Sequence, residues 1–318
     1  MKLQHRLCAA ALVATVLAPA VWAQQYPARP VRIIVPFGAG TGADLAARIL
    51  GERLGKSRGQ TFIVDNRAGA GGAIGTKAVA TAAPDGYTLL SNASSHTSLP
   101  ALKKSLPFDA RRDFAGIAAF ATSPMILVAA KSRNWRSVQD LVAAAKARPG
   151  TVSFASAGTG STTHLSTEKF RLDAGFEAIH VPYKSTTDAL ADVIAGRVDF
   201  LITSVPPTLG PIKDARIVAL AIGQKSGDLP NVPSFADAGI RESQTWFGLF
   251  APARTPREIV QRLHDEVVKA SGTAEVRERL ARIGAEPAVT SIEEFNALVL
   301  REIADNEKLI GRIGLKAD

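Results

Sequence analysis

Val31-Arg32-Ile33-Ile34-Val35-Pro36-Phe37-Gly38-Ala39-Gly40-Thr41-Gly42-Ala43-Asp44 is the stretch on which the fold turns. Four of its first five residues are β-branched, which reads as a strand. The glycines then break the pattern just before the apolar spacing of Leu45, Ile49 and Leu54, that of an amphipathic helix over Thr41 to Leu54. The first amides of a helix have no intrahelical acceptor, and the helix dipole adds partial positive charge there. The loop is therefore a socket for an anion. Gly158-Thr159-Gly160-Ser161-Thr162-Thr163-His164 repeats the arrangement after the apolar strand Val152 to Ala155. Two such sockets, distant in sequence, imply one ligand held between two lobes. A carboxylate or a phosphate suits them; a cation does not.

The first residues read as an export signal. Lys2 and Arg6 precede the apolar run Leu7 to Val16, and Val21-Trp22-Ala23 offers small residues for cleavage near Ala23. A retained membrane anchor is the alternative, but the run is short for a span and no other of spanning length follows. The protein is expected to be exported. Cys8, the single cysteine, falls inside the signal, so the mature chain has no disulfide, thiolate metal site or cysteine nucleophile. Taking Lys2 and Arg6 from the 38 basic residues leaves 36 against 29 acidic ones, a net of +7. The basic residues are scattered and aromatics make up only 6% of the chain, so nucleic acid is not an expected partner. The remaining ~295 residues are enough for one large or two ordinary domains.

Along the chain, strands alternate with helices, the pattern of an α/β protein with largely parallel pairing. Strands are expected at Phe62 to Val64, Tyr87 to Leu90, Val198 to Ile202 and Ile217 to Ile222, and helices at Ala73 to Ala82, Ser137 to Ala147 and Ser161 to Leu172. Phe114 to Val128 reads as two apolar runs broken at Ser123-Pro124. Three helices close the chain, over Pro256 to Ala270, Ala274 to Ile283 and Ile292 to about Ile310. No linker or repeat divides it, so two lobes would be crossed by the backbone more than once, near 122 to 127 and 245 to 251.

Gly38, Gly40 and Ala43 also satisfy a dinucleotide fingerprint, with Asp65 at the spacing of a ribose-binding acid. Three features oppose a Rossmann enzyme. Pro36-Phe37 separates strand from glycines, Asp65 runs into a second glycine loop at Gly69-Ala70-Gly71-Gly72, and export removes the protein from cytosolic cofactors. A hydrolase finds no Gly-x-Ser-x-Gly elbow. Neither an enzyme activity nor a cofactor is expected.

The combined motifs resemble a known family. Val31 to Gly40 with Asp44, Val64-Asp65-Asn66-Arg67, Ala83-Pro84-Asp85-Gly86-Tyr87, Gly158-Thr159-Gly160-Ser161 with His164, His180-Val181-Pro182-Tyr183-Lys184, Trp246-Phe247-Gly248 and Gly284-Ala285-Glu286-Pro287 are similar to the Bug family, the extracytoplasmic solute receptors of tripartite tricarboxylate transporters. The likeness covers essentially the whole mature chain. It implies a type II periplasmic binding protein fold, two α/β lobes with a hinge crossed by two strands and a ligand cleft between them. The expected division is 1–23 signal peptide, 24–124 with 247–318 as lobe 1, and 125–246 as lobe 2. The resemblance further implies a non-catalytic monomer in the periplasm that carries a small carboxylate to membrane permease subunits. A sensing role through a membrane partner is the alternative.

In such receptors the loop Phe37, Gly38, Ala39, Gly40, Thr41 and the loop Ala157, Gly158, Thr159, Gly160, Ser161, Thr162 grip a carboxylate from opposite lobes through amides, hydroxyls and water. Ser91, Asn92 and Ser95 would add contacts. Asp44 either favours the helix start by its charge or orders the loop. His164, with Glu168 one turn on, joins the ligand set through its loop; two such groups are too few for a metal, and a helix-start or packing role is the stronger reading. Lys184 meets a distal carboxylate or is solvated. Asp65-Asn66-Arg67 reads as a brace for the glycine loop, and Trp246 and Phe247 as hinge packing. Thr203 stands where many relatives carry an acid, so the expected ligand has no positive charge and is a mono- or dicarboxylate rather than an amino acid.

Overall fold

A computed structural model describes residues 26–103, 105–224, 227–240 and 244–313. The expected signal peptide lies outside the described residues. β1 (Val31–Val35) leads into α1 (Gly42–Arg58), which ends where Gly59 turns left-handed at φ 65° and returns its N–H to the Gly55 carbonyl. That stop lies four residues beyond the expected end at Leu54. β2 (Phe62–Asn66), α2 (Ala73–Ala80) and β3 (Thr88–Ala93) follow, then α3 (Ser95–Leu102). α3 escaped the sequence reading because it has no apolar stripe: its buried residues include Ser95, His96, Thr97 and Ser98, and Pro100 sits inside it.

β4 (Phe114–Ala130) is one strand of 17 residues where two runs were expected. Pro124 does not end it. Instead β4 changes partner there: residues through Pro124 pair with β9 (Gln244–Pro252), and from Met125 onward β4 pairs with β7 (Phe200–Ser204) and β8 (Ile217–Ile222). A proline has no N–H for the ladder, and this is the position at which the ladder passes from one neighbour to another. Between these strands run α4 (Val138–Ala147), β5 (Ser153–Ser156), α5 (Thr162–Ala174), β6 (Ile179–Pro182), α6 (Thr186–Ile194) and the short α7 (Leu209–Lys213). α4 starts on a full capping box between Ser137 and Asp140. The chain closes with α8 (Arg257–Ser271), α9 (Ala274–Arg282), β10 (Glu286–Pro287) and α10 (Ile292–Ile313).

The strands form one curled sheet in the order β2-β1-β3-β9-β4-β7-β5-β6, with β8 and β10 also on β4. Pairing is parallel in the outer sets β2-β1-β3 and β6-β5-β7, and antiparallel along β3-β9-β4-β7, where the two halves join. Each half has its own core. Val31, Ile33, Leu50, Phe120 and Leu263 belong to one, Leu127, Leu141, Phe154, Phe200 and Phe235 to the other. Trp246 packs with Phe250 and Phe295 on the first side. This is the two-lobed α/β fold with the cleft at the C-terminal ends of the parallel strands, where helix starts collect.

Candidate ligand-binding site

Four helices begin at the cleft. Thr41, Ser161 and Ser185 cap α1, α5 and α6, each hydroxyl accepting from the amide three residues on, at 3.4, 3.3 and 3.1 Å. α3 follows directly on β3. The first residue of each helix, Gly42, Ser95, Thr162 and Thr186, lines a single pocket. The first intrahelical amide bonds of α1 and α5 are those of Leu45 to Thr41 and Leu165 to Ser161. The amides of Gly42, Ala43, Thr162 and Thr163 therefore have no acceptor within their helices. Thr41, Ser161, Thr163, Thr203, Ser204 and Thr245 add hydroxyls; Phe37, Ala93, Met125, Ala157 and Phe247 add apolar surface. None of the described lining residues is charged. The space left is about 40 Å³, room for a few waters or part of a slender small molecule.

Each glycine loop is held from behind. The buried Asp44 carboxylate accepts from Gly40 N (2.9 Å), Asn66 Nδ2 (2.9 Å) and the Arg48 guanidinium (3.1 Å from Nε), and Asn66 also donates to the Phe37 carbonyl at 3.0 Å. Asp44 thus orders the loop, and Asn66 braces it. In the second loop Ala157 N donates to Thr163 Oγ1 (2.9 Å), Gly158 N to Ser156 Oγ (3.1 Å) and Gly160 N to His164 Nδ1 (3.4 Å). These amides serve the loop itself. Thr162 Oγ1 is buried without a protein partner, the one lining hydroxyl in that condition among the described residues.

The two loops meet elements of the opposite half. Ser98 Oγ donates to the Gly160 carbonyl and Thr187 Oγ1 to the Ala39 carbonyl, both at 2.9 Å. Gly71, left-handed at φ 67°, lies so close that a methyl there would overlap the Thr159 carbonyl oxygen. A methyl on Gly38 would stand 2.7 Å from Ser185 Cβ. Leu165 of α5 packs with Leu102 of α3 and Ile310 of α10. The cleft is shut.

Of the residues expected at the site, Phe37, Thr41, Ser95, Ala157, Ser161, Thr162 and Thr203 share the pocket wall. Gly38, Ala39, Gly40, Gly158, Thr159 and Gly160 form the loops behind it. Ser91 Oγ is buried and unpartnered but outside the wall, and Asn92 serves its own strand end, accepting from Ala93 N and Ser95 Oγ. His164 lies beneath its loop, its ring 4.1 Å from that of His180. Lys184 is exposed and does not line the pocket. Ala93, Met125, Thr186, Ser204, Thr245 and Phe247 line the pocket without having been expected at the site, while Gly42, Ala43 and Thr163 belong to the two expected sockets without having been singled out as contacts. A signal existed for Thr186 in the capping pattern Ser185 to Asp188, whereas Met125 and Phe247 reach the pocket only through strand pairing.

Burial shapes the titration of two histidines near these elements. His96, stacked on Phe250 at 4.4 Å, is pushed down to about 4 by burial, and burial together with the neighbouring His164 brings His180 to about 4. Burial raises Glu302, which accepts from Thr97 and from Trp246 Nε1 at 3.1 Å. Asp65, the acid of the nucleotide fingerprint, instead pairs with Arg67 at 3.1 Å and Arg32 at 3.6 Å. Among the described residues no three His, Cys, Asp or Glu side chains gather as metal donors.

Fold and pocket define a two-lobed solute-binding protein with an uncharged, amide- and hydroxyl-lined cleft. A family model, the tripartite tricarboxylate transporter family receptor, matches residues 46–315. BugT of Bordetella pertussis is 36% identical over 94% of this chain and 94% of its own length. An R. palustris protein solved with adipate superposes with a TM-score of 0.87 at 34% identity, covering 91% of this chain and 98% of that one. MatC from Rhodopseudomonas palustris with bound malate gives 0.84 at 29% identity, covering 90% and 100%. The chain belongs to the tripartite tricarboxylate transporter receptors of the Bug family.

Proposed function

We propose that this protein is a periplasmic receptor that encloses a small carboxylate between its lobes and passes it, chemically unchanged, to membrane subunits of a tripartite tricarboxylate-type transporter. The observation that carries the reading is the convergence of Gly42, Ser95, Thr162 and Thr186, four helix starts, on one pocket whose described lining has no charged side chain. Each helix end is equivalent to about half a positive charge. Together with the open amides, these ends offset the cost of burying a carboxylate, while a cation would find no counter-charge. The adipate and malate held by relatives are acids of this kind. Gly42, Ala43, Thr162 and Thr163 would donate amides and Thr162 its hydroxyl, with Phe37, Thr41, Ser95, Ala157, Ser161 and Thr203 completing the wall. Thr203 offers an ammonium group no partner charge, so the solute is an acid without an amino group.

In this reading residues 24–124 with 247–318 form one lobe and 125–246 the other, the signal is cut near Ala23, and the receptor works as a monomer. The change of strand partner at Pro124 and Met125 supports that division. The test is a thermal-shift and calorimetric screen of the ligand-stripped chain from Gln24 against adipate, malate, aspartate, glutamate and dinucleotides. Saturation at a hundred times the dissociation constant adds about 2.7 kcal/mol, a shift of several degrees. Binding of adipate or malate without aspartate or glutamate is expected, together with an uptake defect on deletion. Binding of dinucleotides alone would overturn the reading, and carboxylate binding with normal uptake would leave the receptor but remove the transport role.

A further inference from the structure

The rings of Phe154, His180 and His164 form a stack under the second glycine loop, with centroids 4.8 Å apart between Phe154 and His180 and 4.1 Å between the two histidines. His180 Nε2 lies 2.6 Å from Ser156 Oγ. That oxygen accepts the Gly158 amide at 3.1 Å and keeps its own proton to donate to His180 Nε2. Gly160 N donates to His164 Nδ1 at 3.4 Å. All of these donors and acceptors are satisfied when Nε2 of His180 and Nδ1 of His164 are unprotonated. We propose that His180 and His164 are positioning residues whose unprotonated nitrogens hold loop 157–162 in the shape that turns Thr162 toward the ligand.

α5 supplies Glu168, whose Oε1 is 4.0 Å from His164 Nε2 and whose Oε2 is taken by Arg171 at 2.8 Å; β5 and β7 present Phe154, Ser156 and Phe200, none of which carries charge. Burial, and after it the second imidazole, bring His180 down to about 4 against the opposing attraction of Glu168. His180 is thus an acceptor at neutral pH. The chain order β5, loop, α5, β6 delivers all three parts of this device: Ser156 ends the strand, His164 opens the helix, and His180 returns on the edge strand paired with Phe154. Its consequence for binding rests on the carboxylate reading above, but the state of the loop does not.

The experiment therefore has two arms. In the ligand-free protein, ¹⁵N NMR of the imidazoles near pH 7 is expected to find His180 unprotonated at Nε2 and His164 unprotonated at Nδ1, with slow exchange of the Gly158 and Gly160 amides. In the second arm, His180→Phe keeps the stack without the acceptor, and His180→Gln keeps an acceptor near Nε2 without the ring. Loss of one such bond weakens adipate or malate binding about 2- to 10-fold. The expected ranking places His180→Gln closer to the parent than His180→Phe, both in affinity and in Gly158 exchange, with thermal unfolding confirming that both variants are folded. A protonated Nε2 on His180, or a Phe variant that matches the parent while the Gln variant is impaired, would overturn the proposal and leave the stack as packing. If the parent binds neither acid, the carboxylate reading fails and the imidazole and amide signals alone decide this one.

Discussion

Gly38→Ala places one methyl group at the seam of the shut cleft. Gly38 is outside the left-handed region, so alanine fits its backbone, but the new Cβ would stand 2.7 Å from Ser185 Cβ and 3.0 Å from Ser185 Oγ. Ser185 cannot easily yield. It is buried and caps α6, accepting from Asp188 N at 3.1 Å and donating to Asp188 Oδ2 at 2.9 Å. Overpacking by a methyl group costs about 1–3 kcal/mol, or roughly 5- to 150-fold in an equilibrium constant. The clash exists only while the two loops touch, so the cost falls on closure and not on either lobe. Calorimetric titration with adipate or malate should show that loss of affinity, while urea unfolding without ligand should move by less than about 0.5 kcal/mol. Ser185→Gly in the same chain reopens the space and, at an N-cap, costs only a few tenths of a kcal/mol. The double variant should recover most of the affinity. Unchanged affinity in Gly38→Ala, or a loss that Ser185→Gly does not restore, would refute the argument from closure.

Thr162→Val removes a hydroxyl that has no protein partner. Unfolding in urea should be unchanged or slightly harder, while affinity for the acid falls about tenfold or more, the worth of a hydrogen bond to a charged group; equal affinity would place the hydroxyl outside the ligand shell. Asp44→Ala unties Gly40, Asn66 and Arg48 at once. It should cost about 1–3 kcal/mol of stability, read by urea unfolding, together with most of the ligand affinity. His96 titrates at about 4 when folded and near 6.5 when unfolded. The unfolded chain therefore binds the proton first. The stability contributed is complete above pH 6.5 and is lost as pH falls towards 4, about 3 kcal/mol in all. His96→Leu should unfold with a flatter pH dependence over that window, and an unchanged slope would assign the acid sensitivity elsewhere.

The sequence by itself determined what depends on neighbours along the chain. The strand of Val31–Val35, the hydroxyl caps Thr41 and Ser161, and the helices at Ser137, Pro256, Ala274 and Ile292 follow from propensity, capping and the 3.6-residue period, all local effects. That two glycine loops each lead from a strand into a helix was legible for the same reason. Only the tertiary structure decided which parts of those loops face the pocket. The amides of Ala157, Gly158 and Gly160 turn inward to Thr163, Ser156 and His164, and Lys184 stays in solvent, because side-chain direction is set by what packs behind the loop. Met125 fell within an apolar run at the expected crossing and Phe247 read as hinge packing; they reach the pocket because Met125 pairs with Ser204 and Phe247 with Ala93 and Ala121 at the junction of the sheet. Gly38, Gly42 and Gly71 read as members of glycine loops, yet the residues they approach, Ser185, Ser204 and Thr159, are 88 to 162 positions away. No local rule encodes contacts over that range, since they form only where two distinct cores meet.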